Sequence, residues 1–277
     1  MVRKVRHQPI RTYHRPSAAS EDRNRNRGPR SGDKLVHVAG LPSVQALFAT
    51  SPDRIERLYF EDSMKIHVGE MCLTLAKAHK TYRLVRGDEM DKIAGTAMHG
   101  GIVALAEPRP VLMFDTAEAS EWAKAGEGLL VLDGVGNPHN LGAIARTAAF
   151  FGLKRLVISD HKEQAAPSDA AYRVARGGLE HVAVYKAERI ADTLKRLRKD
   201  FLVLAPALER GKPVSAYRGS AKPLAVVLGN EEYGLPRDTV AACESIVTLG
   251  GTGAVQSLNV AATAAILIHE LLVRERD

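Results

Sequence analysis

From Leu129 onward, short apolar runs alternate with segments of helical spacing, and this alternation constrains the fold more than any other feature of the chain. The apolar runs cover residues 129–132, 156–158, 202–204, 224–228 and 246–249, and helical segments cover 140–151, 190–197 and the alanine-rich C-terminal end. Strands that alternate with helices predict an α/β fold with a largely parallel sheet covered on both faces. Ligands bind such sheets beyond the carboxyl ends of the strands.

The residues before this region predict a second, smaller α/β domain. Residues 35–39 and 55–60 have strand character, residues 42–48 and 71–78 have helical spacing, and the segment closes on the sequence HGGIVA at 99–104. Pro108 and Pro110 indicate a linker, and residues 117–125 have the composition of a helix. We therefore predict a small domain over 35–106, a linker with a leading helix over 107–126, and a larger domain over 127–277.

The net charge of +7 is confined to the first 34 residues. This tail has ten Lys and Arg residues against three Asp and Glu residues, whereas residues 35–277 have 29 of each sign. Its low apolar content predicts disorder, because it cannot bury enough surface to offset the entropy of ordering. Two interpretations remain open: a solubility extension, or an arm that neutralises nucleic-acid phosphates without sequence preference.

Cysteine usage and hydropathy limit the classes of protein to which the chain can belong. Cys72 and Cys243 lie far apart, without the spacing of a zinc site or a disulfide framework. No apolar run approaches 18 residues, and no signal-peptide core opens the sequence. We therefore expect a cytoplasmic protein that neither enters a membrane nor requires a metal.

Polar residues are concentrated in three clusters, each of which follows an apolar run. The clusters are Asn137–Ala148 (NPHNLGAIARTA), Gly229–Leu235 (GNEEYGL) and Gln256–Val260 (QSLNV). Because parallel strands end at one edge of the sheet, these clusters predict one composite site.

Each cluster also has an ordinary structural interpretation. Asn140 is well placed as the N-cap of a helix for which Gly152 is a suitable C-cap, and Ser257 and Asn259 are suitable caps for the terminal helix. Arg146 is compatible with a surface arginine that extends its stem along the helix. Residues 229–234 are compatible with a polar turn, in which Gly229 permits close approach of a ligand to the backbone.

A nicotinamide-dependent oxidoreductase is a weak alternative. Gly134 and Gly136 begin a pattern similar to a dinucleotide-binding loop, but His139 stands at the position of the third glycine and Pro138 interrupts the loop.

The three clusters, in this order, resemble the motifs of the SpoU (TrmH-type) branch of the SPOUT superfamily of RNA methyltransferases. The resemblance extends from about Leu129 to the C-terminus. The smaller domain, with its Gly40, Val44 and Leu47 pattern and the sequence HGGIVA at 99–104, resembles the ribosomal-protein-like RNA-binding domain of many SpoU enzymes. That family more often has Gln at position 100.

The resemblance implies a parallel sheet with a C-terminal trefoil knot, a rare exception to the absence of knots. It also implies a homodimer that transfers a methyl group from S-adenosylmethionine to a ribose 2′-hydroxyl of structured RNA, with rRNA ahead of tRNA because of the smaller domain. Two alternatives are an RNA-binding protein that kept the fold without catalysis, and a base methyltransferase of another SPOUT branch.

By the same resemblance, specific residues acquire expected roles. The residues expected in catalysis are Asn140, Arg146, Glu231, Ser257 and Asn259, of which Asn140 and Arg146 engage the target nucleotide at its ribose. The residues expected to hold the cofactor, largely by their backbone, are Ala205, Pro206, Leu228, Gly229, Leu249 and Leu258. Pro and Met usually stand in the family where this chain has Gly250 and Gly251, so we expect either a lower affinity for the cofactor or a more mobile cofactor loop.

The chemistry of guanidinium restricts the role of Arg146. The resemblance also offers a role for Arg146 as the general base that takes the ribose 2′-hydroxyl proton. A guanidinium group is effectively always protonated and accepts no hydrogen bond, so we prefer another role. We expect it to hold the target phosphate and to stabilise the developing alkoxide, while the proton passes to a phosphate oxygen, water or another side chain. The segment from Arg173 to His181 fits either a face toward RNA or a partner subunit, or a plain surface helix end.

Overall fold

The computed structural model describes residues 35–207 and 211–273. The basic tail, whose disorder and role were predicted from composition, lies outside these described residues. Within them, no helix is long and apolar enough to cross a membrane. Nor do the described ranges contain a group of three or more His, Cys, Asp or Glu side chains arranged to hold a metal ion.

Residues 36–106 form a four-stranded sheet with three α-helices. Strand β4 lies between β1 and β2 and is antiparallel to both, and β3 pairs with β2 in parallel, so the order is β1-β4-β2-β3. Its elements are β1 Val36–Ala39, α1 Leu41–Thr50, β2 Ile55–Phe60, α2 Gly69–Lys77, β3 Thr81–Leu84, α3 Gly87–Ala94 and β4 Ile102–Ala106.

The rest of the described chain forms an eight-stranded sheet in which every neighbouring pair is parallel. Its elements are β5 Leu112–Met113, α4 Thr116–Lys124, β6 Leu129–Asp133, α5 Pro138–Phe150, β7 Arg155–Ser159, α6 Asp169–Ala175, α7 Gly178–His181, β8 Ala183–Ala187, α8 Ile190–Leu197, β9 Leu202–Ala207, β10 Lys212–Pro213, β11 Leu224–Gly229, α9 Arg237–Ala242, β12 Ser245–Thr248 and α10 Val260–Leu267. A π-helical turn, Ile268–Leu272, extends α10. The predicted parallel α/β fold is therefore confirmed, whereas the trefoil knot stays a prediction.

Burial on both faces explains why the central strands are continuous apolar runs. All five residues of β6 are buried, as are residues 224–228 of β11. One face packs against α5, α6 and α10 through residues such as Leu130 and Ile144, and the other packs against α4 and α8 through residues such as Val131 and Leu194. Helices on both faces are the arrangement that such runs require.

The small sheet shares a core with the large one. Val38 of β1, and Val44 and Leu47 of α1, belong to the same cluster of buried apolar residues as Leu130 and Ile144. Both sheets also belong to one compact unit of the chain. The domain limits proposed from the sequence thus correspond to two sheets within one packed body, and the limits themselves stay a prediction.

The strand order creates a switch point beside β6. From β6 the chain continues through β7 and β8 on one side, and then returns to build β9, β11 and β12 on the other side. Strands β6 and β11 are neighbours, with Leu132 opposite Leu228 and Asp133 opposite Gly229. A crevice at the carboxyl ends of these two strands is where an open α/β sheet binds its ligand.

Candidate active site at the carboxyl edge of the large sheet

The loop after β6 begins helix α5 at Pro138, and Asn137 is its N-cap. The Asn137 side chain accepts a hydrogen bond from the His139 amide at 2.8 Å, and Pro138 supplies the fixed φ suited to the first helical position. The interpretation of Asn140 as the cap was therefore wrong, because Asn140 lies inside the first turn. Its side chain is consequently free to reach across to other segments.

Asn140 joins the three polar clusters through the two ends of its amide. Its Nδ2 donates a hydrogen bond to Oε1 of Glu231 at 2.5 Å, and its Oδ1 accepts one from Nδ2 of Asn259 at 3.1 Å. These residues are 91 and 119 positions from Asn140 in the chain. Asn140 is half-buried, whereas Glu231 and Asn259 are exposed. One residue from each predicted cluster therefore contributes to a hydrogen-bonded row, hereafter the amide row, at the edge of the sheet.

Asn259 serves two functions at once. Its Oδ1 accepts hydrogen bonds from the amides of Ala261 and Ala262, at 2.8 and 3.4 Å, and so caps α10. The helix cap and the contact with Asn140 use opposite ends of the same amide. The structural and the functional interpretations of Asn259 are therefore compatible, because the cap holds the side chain in the orientation that the amide row needs.

Asn230, which sequence reasoning passed over, shapes the loop that presents Glu231. Its Oδ1 accepts hydrogen bonds from the amides of Glu232 and Tyr233, and its Nδ2 donates to the carbonyl oxygen of Gly134 at 2.9 Å. The loop after β11 is thereby tied to the loop after β6. An asparagine that begins a polar turn is the available signal, because its side chain hydrogen-bonds the backbone two residues on.

The atoms that lie close to Gly229 belong to the backbone of this same chain. A Cβ at this position would lie 2.5 Å from the carbonyl carbon of Gly234, which returns in a tight turn with a φ of 71°. The glycine is thus explained by the turn, and approach of a ligand is not needed to account for it. Within that turn, a hydrogen bond to the Glu232 carboxylate raises the pKa of the exposed Tyr233 phenol.

Arg146 and Ser257 do not take part in the hydrogen bonds of the amide row. Both side chains are exposed, and neither makes a hydrogen bond or an ion pair with another residue of the described ranges. Arg146 follows Asn140 by six positions on one helix, so the two side chains point about 120° apart around its axis. Within one chain, the structure therefore brings together Asn140, Glu231 and Asn259, and leaves Arg146 directed elsewhere.

The residues expected to hold a cofactor lie at the carboxyl ends of adjacent strands. Strand β9 runs between β11 and β12, and the register aligns Thr248 with Ala207. Ala205 and Leu228 are buried, so they offer a ligand their backbone rather than their side chains. Pro206, Gly229 and Leu249 are half-buried at the same edge, and Leu258 is 51% exposed.

The loop from Gly250 to Leu258 has the properties of a segment that holds a ligand by its backbone. All nine residues are exposed, and among the described residues none makes a backbone-to-backbone hydrogen bond. Its amides and carbonyls are therefore available for an adenosyl group, which needs several donors and acceptors. The residues present thus fit the cofactor that the resemblance implies.

Two models of known protein families match this chain, one over each of its two sheets. Residues 127–269 match the model of the SpoU rRNA Methylase family, and residues 38–112 match the model named RNA 2′-O ribose methyltransferase substrate binding.

Two relatives illustrate the similarity in sequence. The chain is 31% identical over 241 residues to a 23S rRNA (guanosine-2′-O-)-methyltransferase, RlmB, of Acinetobacter baylyi, covering 86% of this chain and 96% of that protein. It is 33% identical over 239 residues to a tRNA/rRNA methyltransferase of Escherichia coli O157:H7 described as uncharacterized, YfiF, covering 85% of this chain and 67% of that protein.

Solved structures share the fold. An AdoMet-bound rRNA methyltransferase from Sinorhizobium meliloti superposes with a TM-score of 0.70 at 21% identity, covering 86% of each chain. The SpoU methyltransferase AviRb from Streptomyces viridochromogenes superposes with a TM-score of 0.67 at 19% identity, covering 88% of this chain and 91% of that chain.

Proposed function

The chain belongs to the SpoU rRNA methylase family, and from this premise we propose that it transfers a methyl group from S-adenosylmethionine to a ribose 2′-hydroxyl of structured RNA. The observation that carries this proposal is the amide row, in which Asn140, Glu231 and Asn259 from three distant segments are joined at the switch point. A protein that only bound RNA would have no need to preorganise this row, so we favour catalysis over an inactive member of the fold.

The chemistry of the reaction is mainly positional. When bound, the cofactor would supply a methyl group on a positively charged sulfonium, from which a neutral thioether would depart as the methyl group is transferred. The chain's task is to align the ribose oxygen with that methyl group and to exclude other geometries. Asn140 is held at both ends of its amide, so it is oriented before substrate arrives. The exposed carboxylate of Glu231 is the ionisable group of the row and faces the solvent from which RNA approaches.

In this proposal Arg146 acts through its positive charge, which attracts negative charge on the RNA. It is a permanent cation that extends into solvent from α5, and it is suited to a target phosphate or a developing alkoxide. Ser257, at the end of the exposed loop, is expected to contact the same nucleotide. The hydroxyl proton passes to a phosphate oxygen, water or a side chain such as Glu231.

The direction of Arg146 supports a two-fold dimer. Because Arg146 and Asn140 point to different sides of α5, one chain presents them to two different places. In a C2 dimer the same patch of both protomers forms the interface, and a residue at one end of the patch meets the other end on the partner. Arg146 of one protomer can therefore complete the site built by the other. Phe150 is 82% exposed near the end of the same helix, which is consistent with an interface there.

Light scattering tests the dimer. We expect the mass of two chains at micromolar concentration. An active protein that remains a monomer under these conditions would contradict a shared site.

The small sheet is proposed to select the substrate. Residues 35–106 would bind RNA, residues 107–126 would connect, and residues 127–277 would carry the methyltransferase site, in a cytoplasmic protein. The match over 38–112 and the similarity to relatives named for 23S rRNA and for tRNA/rRNA favour rRNA over tRNA.

Replacement of Arg146 tests the proposed function. Arg146→Ala is expected to abolish methyl transfer to ribosomal RNA and to leave the affinity for S-adenosylmethionine, measured by calorimetry, unchanged. Arg196→Ala is the matched control, because Arg196 is also exposed on a helix but lies on the other face of the sheet. If the wild-type chain binds RNA but neither binds the cofactor nor transfers a methyl group, the inactive alternative is correct.

A further inference from the structure

The segment Gly177–Glu180 lies between the small sheet's helix α1 and the turn of α5 that carries Arg146. A Cβ on Gly177 would lie 2.8 Å from Cβ of Ala46 in α1. A Cβ on the next residue, Gly178, would lie 2.7 Å from Cα of Arg146. Two consecutive glycines therefore allow α1 and α5 to approach the same short segment from opposite sides.

Glu180 anchors this segment to the small sheet by a buried ion pair. Its Oε2 accepts a hydrogen bond from Nη1 of Arg54 at 2.6 Å, and the two residues are 2% and 9% exposed. Arg54 is itself fixed, because its Nε donates to the carbonyl oxygen of Glu107 at 2.9 Å. The middle of the segment from Arg173 to His181 is thus buried, and it is not the plain surface helix end that was one interpretation of its sequence.

A second arginine holds the backbone of the same segment. Nη1 of Arg109, in the linker, donates to the carbonyl oxygens of Leu179 and Val182 at 3.0 and 3.2 Å. The backbone amide of Arg109 donates to the Tyr172 hydroxyl, and burial raises the pKa of that phenol. The segment is therefore held by the linker through Arg109, as well as by Arg54.

We propose that Glu180 is a positioning residue for Arg146: the Arg54–Glu180 pair fixes α7, and α7 supports the backbone of α5 at Arg146. This inference rests on the proposed function of Arg146. It makes the small sheet part of the catalytic apparatus, in addition to its expected role in binding RNA. A buried pair of this kind contributes orientation more reliably than net stability, because the desolvation of both ions offsets their attraction.

Two variants disturb the support that α7 gives to α5 at Arg146, each in a different way. Glu180→Gln keeps the shape of the side chain and removes the charge that pairs with Arg54. Gly178→Ala places a methyl group against Arg146 Cα and forces one backbone to shift. The matched controls are Glu270→Gln, whose partner Arg218 forms an exposed ion pair, and Gly69→Ala, which also changes the first residue of a helix but has no atom within 4 Å of the new Cβ.

Hydrogen–deuterium exchange and steady-state kinetics measure the result. In both test variants we expect faster exchange at residues 143–150 and unchanged exchange at residues 261–267. The kcat should fall about ten- to hundredfold, which is the sensitivity of a positioned group to small displacements. The KM for RNA and the affinity for S-adenosylmethionine should stay near wild type, and the controls should match wild type throughout.

Three outcomes would overturn the proposal. They are unchanged exchange at 143–150 in both variants, faster exchange that extends equally to 261–267, and faster local exchange with a wild-type kcat. If the wild-type chain transfers no methyl group to RNA, the proposed function fails, and the exchange comparison still decides whether α7 supports the Arg146 turn.

Discussion

At the scale of single residues, the roles of the two ends of the Asn259 amide can be separated by experiment. Asn259→Asp retains an oxygen that caps α10, and a carboxylate at this position is favourable for the helix dipole. It removes the Nδ2 donor to Asn140. A rotated Asn140 amide would donate to the new carboxylate but would then turn its oxygen toward the carboxylate of Glu231.

We therefore predict that Asn259→Asp leaves the unfolding temperature unchanged and lowers kcat about tenfold or more, because Asn140 is no longer held at both ends. Asn137→Asp is the matched control, since it makes the same change at the N-cap of α5. Thermal unfolding and methyl-transfer assays on both variants check this. Loss of stability without loss of activity would show that Asn259 acts as a cap alone.

At the scale of elements, the exposed loop at 250–258 offers a test of the backbone-held cofactor. Neither Gly250 nor Gly251 has a positive φ, and nothing lies within 4 Å of a Cβ built on either. Gly251→Ala should therefore reduce the freedom of the unbound loop without strain, by about 0.4–1 kcal/mol. We predict that S-adenosylmethionine binds about two- to fivefold more tightly, as measured by calorimetry.

Gly253 provides the opposite case in the same loop. It has a φ of 80°, so an alanine there is strained by about 1–2 kcal/mol although its Cβ would meet no atom within 4 Å. Gly253→Ala should weaken cofactor binding. If both alanines weaken binding equally, the loop's conformation is not what limits affinity.

Elements with a strong apolar pattern were predictable from the sequence, and those without one were not. Strand β2 was expected at 55–60 and occurs there, because Ile55 and the run from Leu58 to Phe60 are buried in the core. Strand β3 was not predicted, since it is only four residues long and all four of its residues are exposed at the edge of the sheet. The start of α5 was placed too late, because Asn137 and Pro138 specify it together.

The sequence predicted which three clusters would form the candidate site. It did not predict the contacts that support them from the rest of the molecule. The alternation of strands and helices implied that Asn140, Glu231 and Asn259 would meet, and their hydrogen bonds join them. The sequence did not indicate the close approach of Gly178 to Arg146, or the pairing of Arg54 with Glu180 across 126 positions. Those contacts depend on how two sheets pack, which local patterns do not encode.

At the scale of the whole molecule, the charge distribution predicts the role of the tail. Residues 35–277 are balanced in formal charge, so the first 34 residues hold the entire excess. Deletion of Met1–Lys34 should weaken binding to RNA of any sequence. It should also flatten the dependence on salt, by about 0.9 in slope for each phosphate that the tail neutralises on a duplex or about 0.7 on a single strand. Binding titrations at several salt concentrations check this, and an unchanged slope would favour the solubility extension.

The central claim, methyl transfer to a ribose hydroxyl, is tested most directly by the chemical position of the transferred group. Total RNA from a strain that lacks the protein is incubated with the purified chain and isotopically labelled S-adenosylmethionine, then digested to nucleosides and analysed by mass spectrometry. We predict that the label appears in a 2′-O-methylated nucleoside, with the added mass on the ribose fragment. Label on the base fragment, or no label in any nucleoside, would contradict the account.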